Sequence, residues 1–495
     1  MMRRSGTRIS ALAVALMLLG TAGAEAKTFE VTRLTDPAPG NCKPNDCSLR
    51  EAVLAANVRP GADRIVLPEA KRYKLTRANP GGVPEDVGDF GDLDILNDPV
   101  SIVHPGSGRA RIDGNDFDRV LHIQAGARTA LARLVVTGGD AGGDDGGGIL
   151  TDADLKLSRT SVLKNASDDG GGIDAIGLAG VKLVRSQVRN NSADDDGGAI
   201  NGADGSIILR RSRVVGNEAG DAAGGIRTTS GPPRVALRQS SVVGNRAGDL
   251  AGGLEISSEK FLMLNSTVAN NRADGNGGGV YSAALTDITI NSSTISGNRS
   301  IDTGGNAHGG GLYFDGPSVN MTNSTIANNR ADQTGGGIHA RDGADLALNA
   351  VTVTRNIAVA DAPSDVKLPV AGGGLYRLTS LGFDVRNSLI ALNTEGQAGS
   401  PSDCGDDGTE INSLGDNLIS STAFDCDAFD QPGDLVRANP KIGKLRRNGG
   451  PTKTVALRKG SPAIGKAHHP SAPNRDQRNR KRDSKEDIGA YERGA

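Results

Sequence analysis

The sequence predicts an all-β solenoid, a parallel β-helix, on two observations of repetition and one of composition. An eleven-residue pattern recurs nine times between residues 155 and 393, with apolar residues at its first, third and eighth positions and Asn at its eleventh. Each link between copies carries a glycine run that ends in an aliphatic residue, such as residues 170–173 and 277–280. Alternating apolar runs of this length predict short strands. Because the pattern repeats every 26 to 37 residues and no link is long enough for a helix, we expect the strands to stack as successive coils.

The third observation is that the chain is rich in glycine and poor in aromatic residues. Its 495 residues include 70 Gly, 8 Phe, 5 Tyr and no Trp. This composition predicts a core of Val, Ile, Leu and Ala ladders, because a globular enzyme of the same length usually contains more aromatic residues. The recurring Asn residues, from Asn165 to Asn393, are predicted to stack at one bend of the coil and satisfy its backbone, which is a structural role.

Residues 1–26 have the features of a secretory signal peptide. Arg3, Arg4 and Arg8 precede an apolar stretch at residues 11–20, and small residues follow it. Cleavage is expected after residue 24 or 26. No other segment approaches the roughly 20 apolar residues that span a bilayer. We therefore predict a secreted or cell-surface protein with no transmembrane segment after cleavage.

Residues 27–64 are predicted to cap the N-terminal end of the solenoid. Ser48 and Glu51 have the spacing of a capping box, and the residues that follow have the apolar spacing of a short amphipathic helix. A solenoid needs its open ends covered, because a terminal coil otherwise exposes apolar side chains and unpaired strand edges. This short N-terminal helix is expected to provide that cover.

Four cysteines in an exported chain predict two disulfides. The close pairs are Cys42 with Cys47 and Cys404 with Cys426, and other pairings would have to join the two ends of a long rod. No His lies near either pair, which disfavours a zinc site. The second pair places a disulfide in the predicted final coils, residues 396–440.

Both ends of the chain resemble a known family. The string CSLREA at residues 47–52 is the opening signature of bacterial exported proteins with a right-handed parallel β-helix. Four strings near the other end are similar to the C-terminal segment called choice-of-anchor Q: residues 448–452, 460–464, 476–478 and 487–492. The resemblance implies a right-handed β-helix over residues 65–395, an anchor-like segment over residues 441–495, and export. It implies no catalytic residues.

Charge is divided between the body of the chain and its C-terminal segment. Residues 441–495 hold 15 Lys or Arg against 5 Asp or Glu, whereas the preceding solenoid is acidic. The basic cluster at residues 475–485 is predicted to dock on the acidic solenoid, to meet an anionic cell-envelope polymer, or to be a solvated terminal segment. Nucleic acid is a poor candidate partner, because no aromatic residues interleave with these charges to stack bases.

Carboxylates that precede the first glycine runs predict a calcium site. Stacked carboxylates repel each other, and later coils place an Arg directly after the turn Asn, as at Arg246 and Arg272, whereas the first three coils do not. Calcium accepts six to eight flexible oxygen ligands, so it suits such a cluster. The alternative is a solvated acidic face, and no cofactor is required. The candidate ligands are Asp144, Asp145, Asp168, Asp169, Asp194, Asp195 and Asp196.

A row of outward-facing residues provides a candidate ligand-binding cleft. The residue after each glycine-run aliphatic is predicted to face outward, because its neighbour faces the core. The two longest links, residues 299–311 and 357–374, bracket one coil of this row, and insertions in repeat proteins often wall a binding site. The alternative is an ordinary surface beside long turns. The candidate residues are Tyr281, His308, Tyr313, Asp332, His339, Asp361, Asp365 and Tyr376.

Two classes of function compete for this cleft. A polysaccharide lyase or glycosidase needs catalytic groups such as two carboxylates about 5 to 10 Å apart, which adjacent coils can supply, but no known catalytic cluster recurs here. A structural or adhesive module that binds extracellular polysaccharide or a cell-envelope polymer needs only length, stable coils and a ligand-facing row. We favour the second class and expect the protein to be a monomer.

Overall fold

The predicted parallel β-helix is confirmed. The computed structural model describes residues 25–80, 88–96, 98–229, 234–283, 286–301, 306–359, 371–378, 381–406, 411–421, 426, 428–467 and 472–494. In these residues, strands of successive coils pair in parallel and in register to form four sheets that run along one rod, apart from one antiparallel pair at the end of the fourth. Coils between residues 149 and 395 visit the second sheet, the first, the third and the fourth in turn, as Ile149–Thr151, Leu155–Ser158, Ser161–Leu163 and Ala166–Ser167 do. The predicted signal peptide lies almost wholly outside the described residues.

The first two sheets carry most of the apolar ladders. In stacking order, the first sheet consists of Thr28–Glu30, Asp63–Val66, Val100–Val103, Thr129–Ala132, Leu155–Ser158, Val181–Val184, Ile207–Arg210, Arg234–Arg238, Lys260–Leu264, Asp287–Asn291, Ser318–Thr322, Asp345–Asn349, Gly382–Arg386 and Asn412–Ser413. The second consists of Leu93–Ile95, Leu121–Ile123, Ile149–Thr151, Ile173–Ala175, Ile200–Gly202, Ile226–Thr228, Leu254–Ile256, Val280–Ser282, Leu312–Asp315, Ile338–Arg341, Leu375–Leu378 and Cys404–Asp406.

The other two sheets complete the coil. The third consists of Arg72–Lys74, Ala110–Asp113, Leu134–Thr137, Ser161–Leu163, Gln187–Arg189, Arg213–Val215, Ser241–Val243, Thr267–Ala269, Thr294–Ser296, Thr325–Ala327, Thr352–Thr354, Leu389–Ala391 and Leu418–Ile419. The fourth consists of Ala166–Ser167, Ser192–Ala193, Glu218–Ala219, Arg246–Ala247, Arg272–Ala273, Arg299–Ser300, Arg330–Ala331, Ile357–Ala358, Thr394–Glu395 and Ser400–Pro401. A separate antiparallel hairpin joins Ile442–Arg446 to Thr454–Leu457.

The sequence pattern sets the register of the coils. Its first apolar position forms a ladder in which Leu155 pairs with Val181 and Val181 with Ile207, and all three side chains are buried. Strand pairing continues to Thr28–Glu30 at one end and to Leu418–Ile419 at the other. The parallel sheets therefore extend into the predicted cap, residues 27–64, and into the predicted final coils, residues 396–440. The strands within residues 27–64 were not predicted, because they lack the Asn and glycine run of the pattern.

The Asn residues form the predicted structural ladder. Asn191 donates from Nδ2 to Oδ1 of Asn217 at 3.0 Å, and the same oxygen accepts the backbone N–H of Asn191. The pattern repeats along the rod to Asn393, where the final acceptor is the carboxylate of Asp403. Burial raises the pKa of Asp403, although four or more hydrogen bonds oppose this shift. Each Asn thus fills buried hydrogen-bonding groups of two coils.

The N-terminal cap is a nine-residue helix, Leu49–Asn57. Ser48 accepts a hydrogen bond from the backbone N–H of Glu51, and the Glu51 side chain accepts one from the backbone N–H of Ser48, so the predicted capping box is present. The buried face of the helix joins the same apolar core as the first coils. Arg50 lies beneath it, bonded to Asp36 and to backbone carbonyls of residues 88–92. Both predicted disulfides, Cys42–Cys47 and Cys404–Cys426, are present.

The C-terminal segment folds back along the third sheet. Thr294 donates from its hydroxyl to the carbonyl of Lys453, and Thr325 donates to Oε1 of Gln477. Its docking surface is therefore the Ser and Thr face of the rod, and the acidic carboxylate row lies elsewhere. Of the three predictions for the basic cluster at residues 475–485, docking on the solenoid is the one that the geometry supports, through neutral partners.

Ion pairs inside the docked segment explain part of its charge. Arg478 contacts Asp476 at 2.7 Å and lies 3.8 Å from the ring of Tyr491, while Arg482 contacts Glu492 at 3.1 Å. All four charged groups are buried. These residues hold the segment's own fold, because breaking a buried pair leaves an uncompensated charge.

Candidate functional site

The second sheet carries a continuous row of outward side chains along the rod. In a strand, successive side chains alternate between faces, so the residue next to a core Ile, Val or Leu faces away from the core. Register brings the members of this second-sheet row one above another. In order they are Asp94, His122, Leu150, Asp174, Asn201, Arg227, Glu255, Tyr281, Tyr313, His339 and Tyr376.

The C-terminal half of the row is an aromatic stack. The ring centroids of Tyr281 and Tyr313 lie 5.1 Å apart, those of Tyr313 and His339 5.0 Å, and those of His339 and Tyr376 5.0 Å. Parallel strands in register lie about 4.8 Å apart, so flat side chains at equivalent positions stack face to face. Pairs of this kind contribute about 0.5–1.5 kcal/mol each beyond their burial.

The predicted exposure of this half is wrong. Tyr313, His339 and Tyr376 are at most 4% exposed, so they do not form an open platform for a ligand. Neighbouring rings cover both faces of Tyr313 and of His339, and the ring of His339 covers one face of Tyr376. The glycine run covers an edge, because a Cβ added to Gly335 would lie only 2.6 Å from Cβ of His339. The glycines here are required by this close approach of the backbone to the row.

His339 of this half shares the hydroxyl of Thr334 with His308, which lies beside the row. Thr334 Oγ1 lies 2.7 Å from Nδ1 of His308 and 2.8 Å from Nδ1 of His339, and the two rings are 4.8 Å apart. Burial lowers the pKa of His339 well below its ordinary value, and the neighbouring His308 and Arg341 lower it further. His339 is therefore neutral at physiological pH. Its Nε2 has no hydrogen-bond partner within the described chain.

The N-terminal half of the row is acidic and hydrogen-bonded. Asp174 is buried and accepts a hydrogen bond from Nδ2 of Asn201 at 2.9 Å, and burial raises its pKa to about 7. Asp145, Asp169 and Asp196 lie beside it, just before the glycine runs. Oδ1 of Asp145 accepts the backbone N–H of Asp169, and Oδ1 of Asp169 accepts that of Asp196. Burial raises the pKa of Asp169 to about 6.

Arg227 supplies a counter-charge that the sequence analysis did not anticipate. Its guanidinium contacts Asp196 of the preceding coil and lies 3.3 Å from Glu255 of the following coil. Burial raises the pKa of Glu255 to about 7, and the ion pair with Arg227 opposes that shift. The first three coils do lack an Arg after the turn Asn, as predicted, but Asp196 is neutralised by Arg227. The Arg comes from the row itself and not from the position after the turn Asn.

The predicted calcium ligands are brought together in part. Carboxylate oxygens of Asp169, Asp195 and Asp196 lie within 4.8 Å of one another, which suits a shared cation. Asp144, Asp168 and Asp194 lie on the same ridge with exposed side chains. A cation at this cluster would compete with Arg227 for Asp196. Calcium binding stays a prediction.

Of the remaining cleft candidates, only Asp332 lies within the described residues. Asp361 and Asp365 lie outside the described residues. Asp332 pairs with Arg330 at 2.9 Å on the fourth sheet. The carboxylate of Asp332 is therefore engaged on the surface beside the row, and among the described candidates the rings and His308 come together.

A polar cluster at the N-terminal end of the row was missed by the sequence analysis. Nδ1 of His122 lies 3.2 Å from Oδ1 of Asp94, and NH1 of Arg119 lies 3.7 Å from Oδ2 of Asp92. Burial and the charge of Asp94 raise the pKa of Asp92. These coils lack the glycine run, so no repeated signal marked them. The alternation of charged and apolar residues at 92–94 was the only available indication.

A family-model comparison agrees with the architecture over part of the chain. Residues 235–390 match the family model described as a right handed beta helix region. The structure of pectate lyase Pel9A aligns with 95% of this chain and 97% of its own, at 14% sequence identity and a TM-score of 0.39. The comparison with curated proteins gave no match. The chain is an all-β protein whose fold is a right-handed parallel β-helix.

Within the described residues, no helix is both long enough and apolar enough to cross a bilayer.

Proposed function

We propose that the protein is an exported structural or adhesive rod that binds an extended polysaccharide without cleaving it. Export is supported by the signal-like residues 1–26, by the CSLREA and choice-of-anchor Q resemblances, and by two disulfides, which persist in oxidising compartments. The rod itself is suited to mechanical or adhesive work, because the described strands of successive coils between residues 149 and 395 pair along four sheets.

The observation that carries the binding proposal is the exposed carboxylate ridge beside the second-sheet row. Asp144, Asp168, Asp194, Asp221 and Asp249 place exposed carboxylates on five successive coils. The spacing between coils is about 4.8 Å, so the ridge is a straight line of hydrogen-bond acceptors. A linear polymer with hydroxyl groups at regular intervals is the ligand class that such a line fits. Calcium bound at Asp169, Asp195 and Asp196 would add sites for acidic sugars.

A second candidate function is cleavage of a glycan at the acidic half of the row. The specific observation in its favour is that the pKa values of Asp169, Asp174 and Glu255 are raised to about 6, 7 and 7, beside Arg227. Carboxyl groups that titrate near neutral pH suit general acid–base catalysis. The same shifts also follow from packing charged groups into a ladder. We rank binding first, because Asp174 and Glu255 are already held by Asn201 and Arg227.

The experiment is cell fractionation followed by a glycan-binding screen of the mature chain, with product analysis of every glycan retained. We expect extracellular or surface localisation and retention on one glycan class without new reducing ends or unsaturated products. Replacing three ridge residues, Asp168, Asp194 and Asp221, by Asn should abolish that retention. The control replaces three exposed acidic residues of the first sheet side with amides: Glu259→Gln, Asp287→Asn and Asp345→Asn.

The outcomes separate the two functions. Retention that survives in the ridge variant would contradict the proposed binding surface. Turnover that falls about a hundredfold in Asp174→Asn would replace binding by catalysis. Cytoplasmic fractionation of the full chain would contradict export.

A further inference from the structure

A line of arginines runs along the corner between the first and third sheets, on a different side of the coil from the acidic ridge. A single residue joins Thr129–Ala132 to Leu134–Thr137, and it is Arg133 with φ of 58°. Later coils place Arg159, Arg185 and Arg211 at this corner, with φ between 52° and 53°. Register in the flanking strands stacks these arginines at the spacing of the coils.

The backbone does not explain the choice of arginine. A left-handed conformation disfavours residues with a long side chain and favours Gly and Asn. Further along the rod the same corner is occupied by shorter or neutral residues with φ between 47° and 55°: Gln239, Asn265, Ser292, Asn323, Ala350 and Asn387. Four arginines in succession therefore occupy a position where Asn would serve the turn better, which points to a role for the side chains.

These guanidinium groups also lack the partners that other arginines of the rod have. NH1 of Arg133 approaches the carbonyl of Ser107, and Nε of Arg211 donates to Oε1 of Gln239 at 2.9 Å. Within the described chain, none of Arg133, Arg159, Arg185 and Arg211 forms an ion pair. By contrast, arginines of the second and fourth sheets contact carboxylates: Arg227, Arg246, Arg272 and Arg330. The corner arginines form an uncompensated line of positive charge.

The arginines line a groove. An open cavity of about 690 Å³ follows the corner, and six of its twelve lining residues are arginine while none is acidic or aromatic. It shares Arg211, Gln239 and Asn265 with a second cavity of about 990 Å³, formed between the rod and the docked C-terminal segment. That segment contributes Lys444, Arg447 and Lys453 to the wall. The positive groove thus continues from the rod onto the C-terminal segment.

We propose that this arginine groove is a second binding site, for a linear polysaccharide that carries carboxylate or sulfate groups. Guanidinium groups bind both anions through paired N–H donors, and a row of them spaced by coils matches charges repeated along a polymer. The absence of aromatic residues from the lining disfavours single-stranded nucleic acid, which such grooves hold by stacking on bases. The groove is separate from the acidic ridge, so the rod offers two polymer-binding sides of opposite charge.

The test measures binding of the mature full chain to a soluble polyuronate, a sulfated glycan, an uncharged dextran and double-stranded DNA, each at several salt concentrations. The variant is Arg159→Asn, Arg185→Asn and Arg211→Asn, because Asn suits the left-handed corner and preserves the fold. The control removes the same charge at exposed strand positions outside the groove, by Arg64→Gln, Arg234→Gln and Arg299→Gln.

We expect the wild type to bind at least one anionic glycan more tightly than dextran, and less tightly as salt rises. The groove variant should bind it about tenfold or more weakly, since each arginine removed loses a charge-assisted contact. The control should stay within about twofold. On the wild type, bound glycan should also protect Arg159 and Arg185 from an arginine-modifying reagent, read by mass spectrometry.

Three results would overturn the proposal. The first is unchanged glycan affinity in the groove variant, and the second is equal loss in the control. The third is DNA binding that is as tight as glycan binding and is lost in the same variant, which would reassign the groove to nucleic acid. The carboxylated and sulfated glycans distinguish which anion the groove prefers. Replacing the ridge carboxylates should leave this binding intact, so failure here and failure of the proposed function are separate results.

Discussion

The acidic and aromatic halves of the second-sheet row share one backbone and differ in how they fill it. In both halves a glycine run lies against the row, and equivalent side chains stack at the spacing of the coils. The aromatic half fills that space with neutral rings that attract each other. The acidic half fills it with Asp174, Asn201, Arg227 and Glu255, which need hydrogen bonds and counter-charges. The difference teaches that the ladder stacks flat neutral groups directly, whereas charged groups in it must be paired with one another.

The largest expected effect comes from placing a charge in the aromatic half. Tyr313→Asp removes two stacked contacts and buries a carboxylate between Tyr281 and His339. We expect the free energy of unfolding to fall by about 3–5 kcal/mol, the usual scale for an uncompensated buried charge. Urea denaturation followed by circular dichroism measures it. Tyr313→Phe, which keeps the ring, should lose less than about 1 kcal/mol. Equal losses in the two variants would show that stacking does not distinguish the halves.

The next effect tests whether the acidic half takes a cation. Adding calcium at a hundredfold excess over its dissociation constant should raise the free energy of unfolding by about 2.7 kcal/mol. The gain should disappear when Asp168, Asp169, Asp194 and Asp195 are replaced by Asn. It should persist in Tyr313→Phe, because the aromatic half offers no carboxylates. Identical melting curves with calcium and with chelator would remove calcium from the proposal.

The orientation of the row was predictable from the sequence, whereas its burial and its counter-charge were not. Alternation within strands identified the outward row correctly, because the side on which a residue lies depends only on its immediate neighbours. Burial of the row was not predictable, because the rings that cover His339 belong to Tyr313 and Tyr376, which are distant in sequence. Arg227 was overlooked as a counter-charge for the same reason, since its partner Asp196 lies in the preceding coil.

The fold was more predictable than the site because its signals repeat. The apolar ladder and the Asn ladder recur in every copy of the pattern, so one misread coil changes little. The cap at Leu49–Asn57 was also predictable, because a capping box is a local feature. The cluster of Asp92, Asp94 and His122 occurs once, in coils without a glycine run, so no repetition separated it from an ordinary polar surface.

Titration should separate the two halves by the sign of their response to pH. Asp174 has a folded-state pKa raised to about 7 by burial, so its stabilising protonated form is lost as pH rises from about 4 through 7. His339 has a lowered folded-state pKa, so its contribution is present above its unfolded pKa of about 6.5 and is lost below it. The acidic half is therefore stabilised by acid, and the aromatic half is destabilised by acid.

Melting curves between pH 4 and 8 test this opposition. Asp174→Asn should keep the hydrogen-bonding shape of the side chain and reduce the loss of stability above pH 5 by on the order of 1–3 kcal/mol. His339→Gln should reduce the loss of stability below pH 6. Comparison with wild type at each pH cancels the titration of other groups. If both variants changed the same limb of the pH profile, the assignment of opposite signs would be wrong.

The smallest expected effect concerns the exposed ion pairs that flank the aromatic half. Arg330 and Asp332 lie 2.9 Å apart, but their side chains are 44% and 23% exposed, so water and salt screen their attraction. A double-mutant cycle with Arg330→Ala and Asp332→Ala should give a coupling of about 0.2–1 kcal/mol that vanishes at high salt. Arg227 and Glu255 are less exposed, at 25% and 15%, and Arg227 also holds Asp196, so their coupling should be larger and less sensitive to salt. A coupling at Arg330 equal to that at Arg227 would mean that the counter-charge in the acidic half is ordinary surface pairing, and the distinction between the halves would then rest on the rings alone.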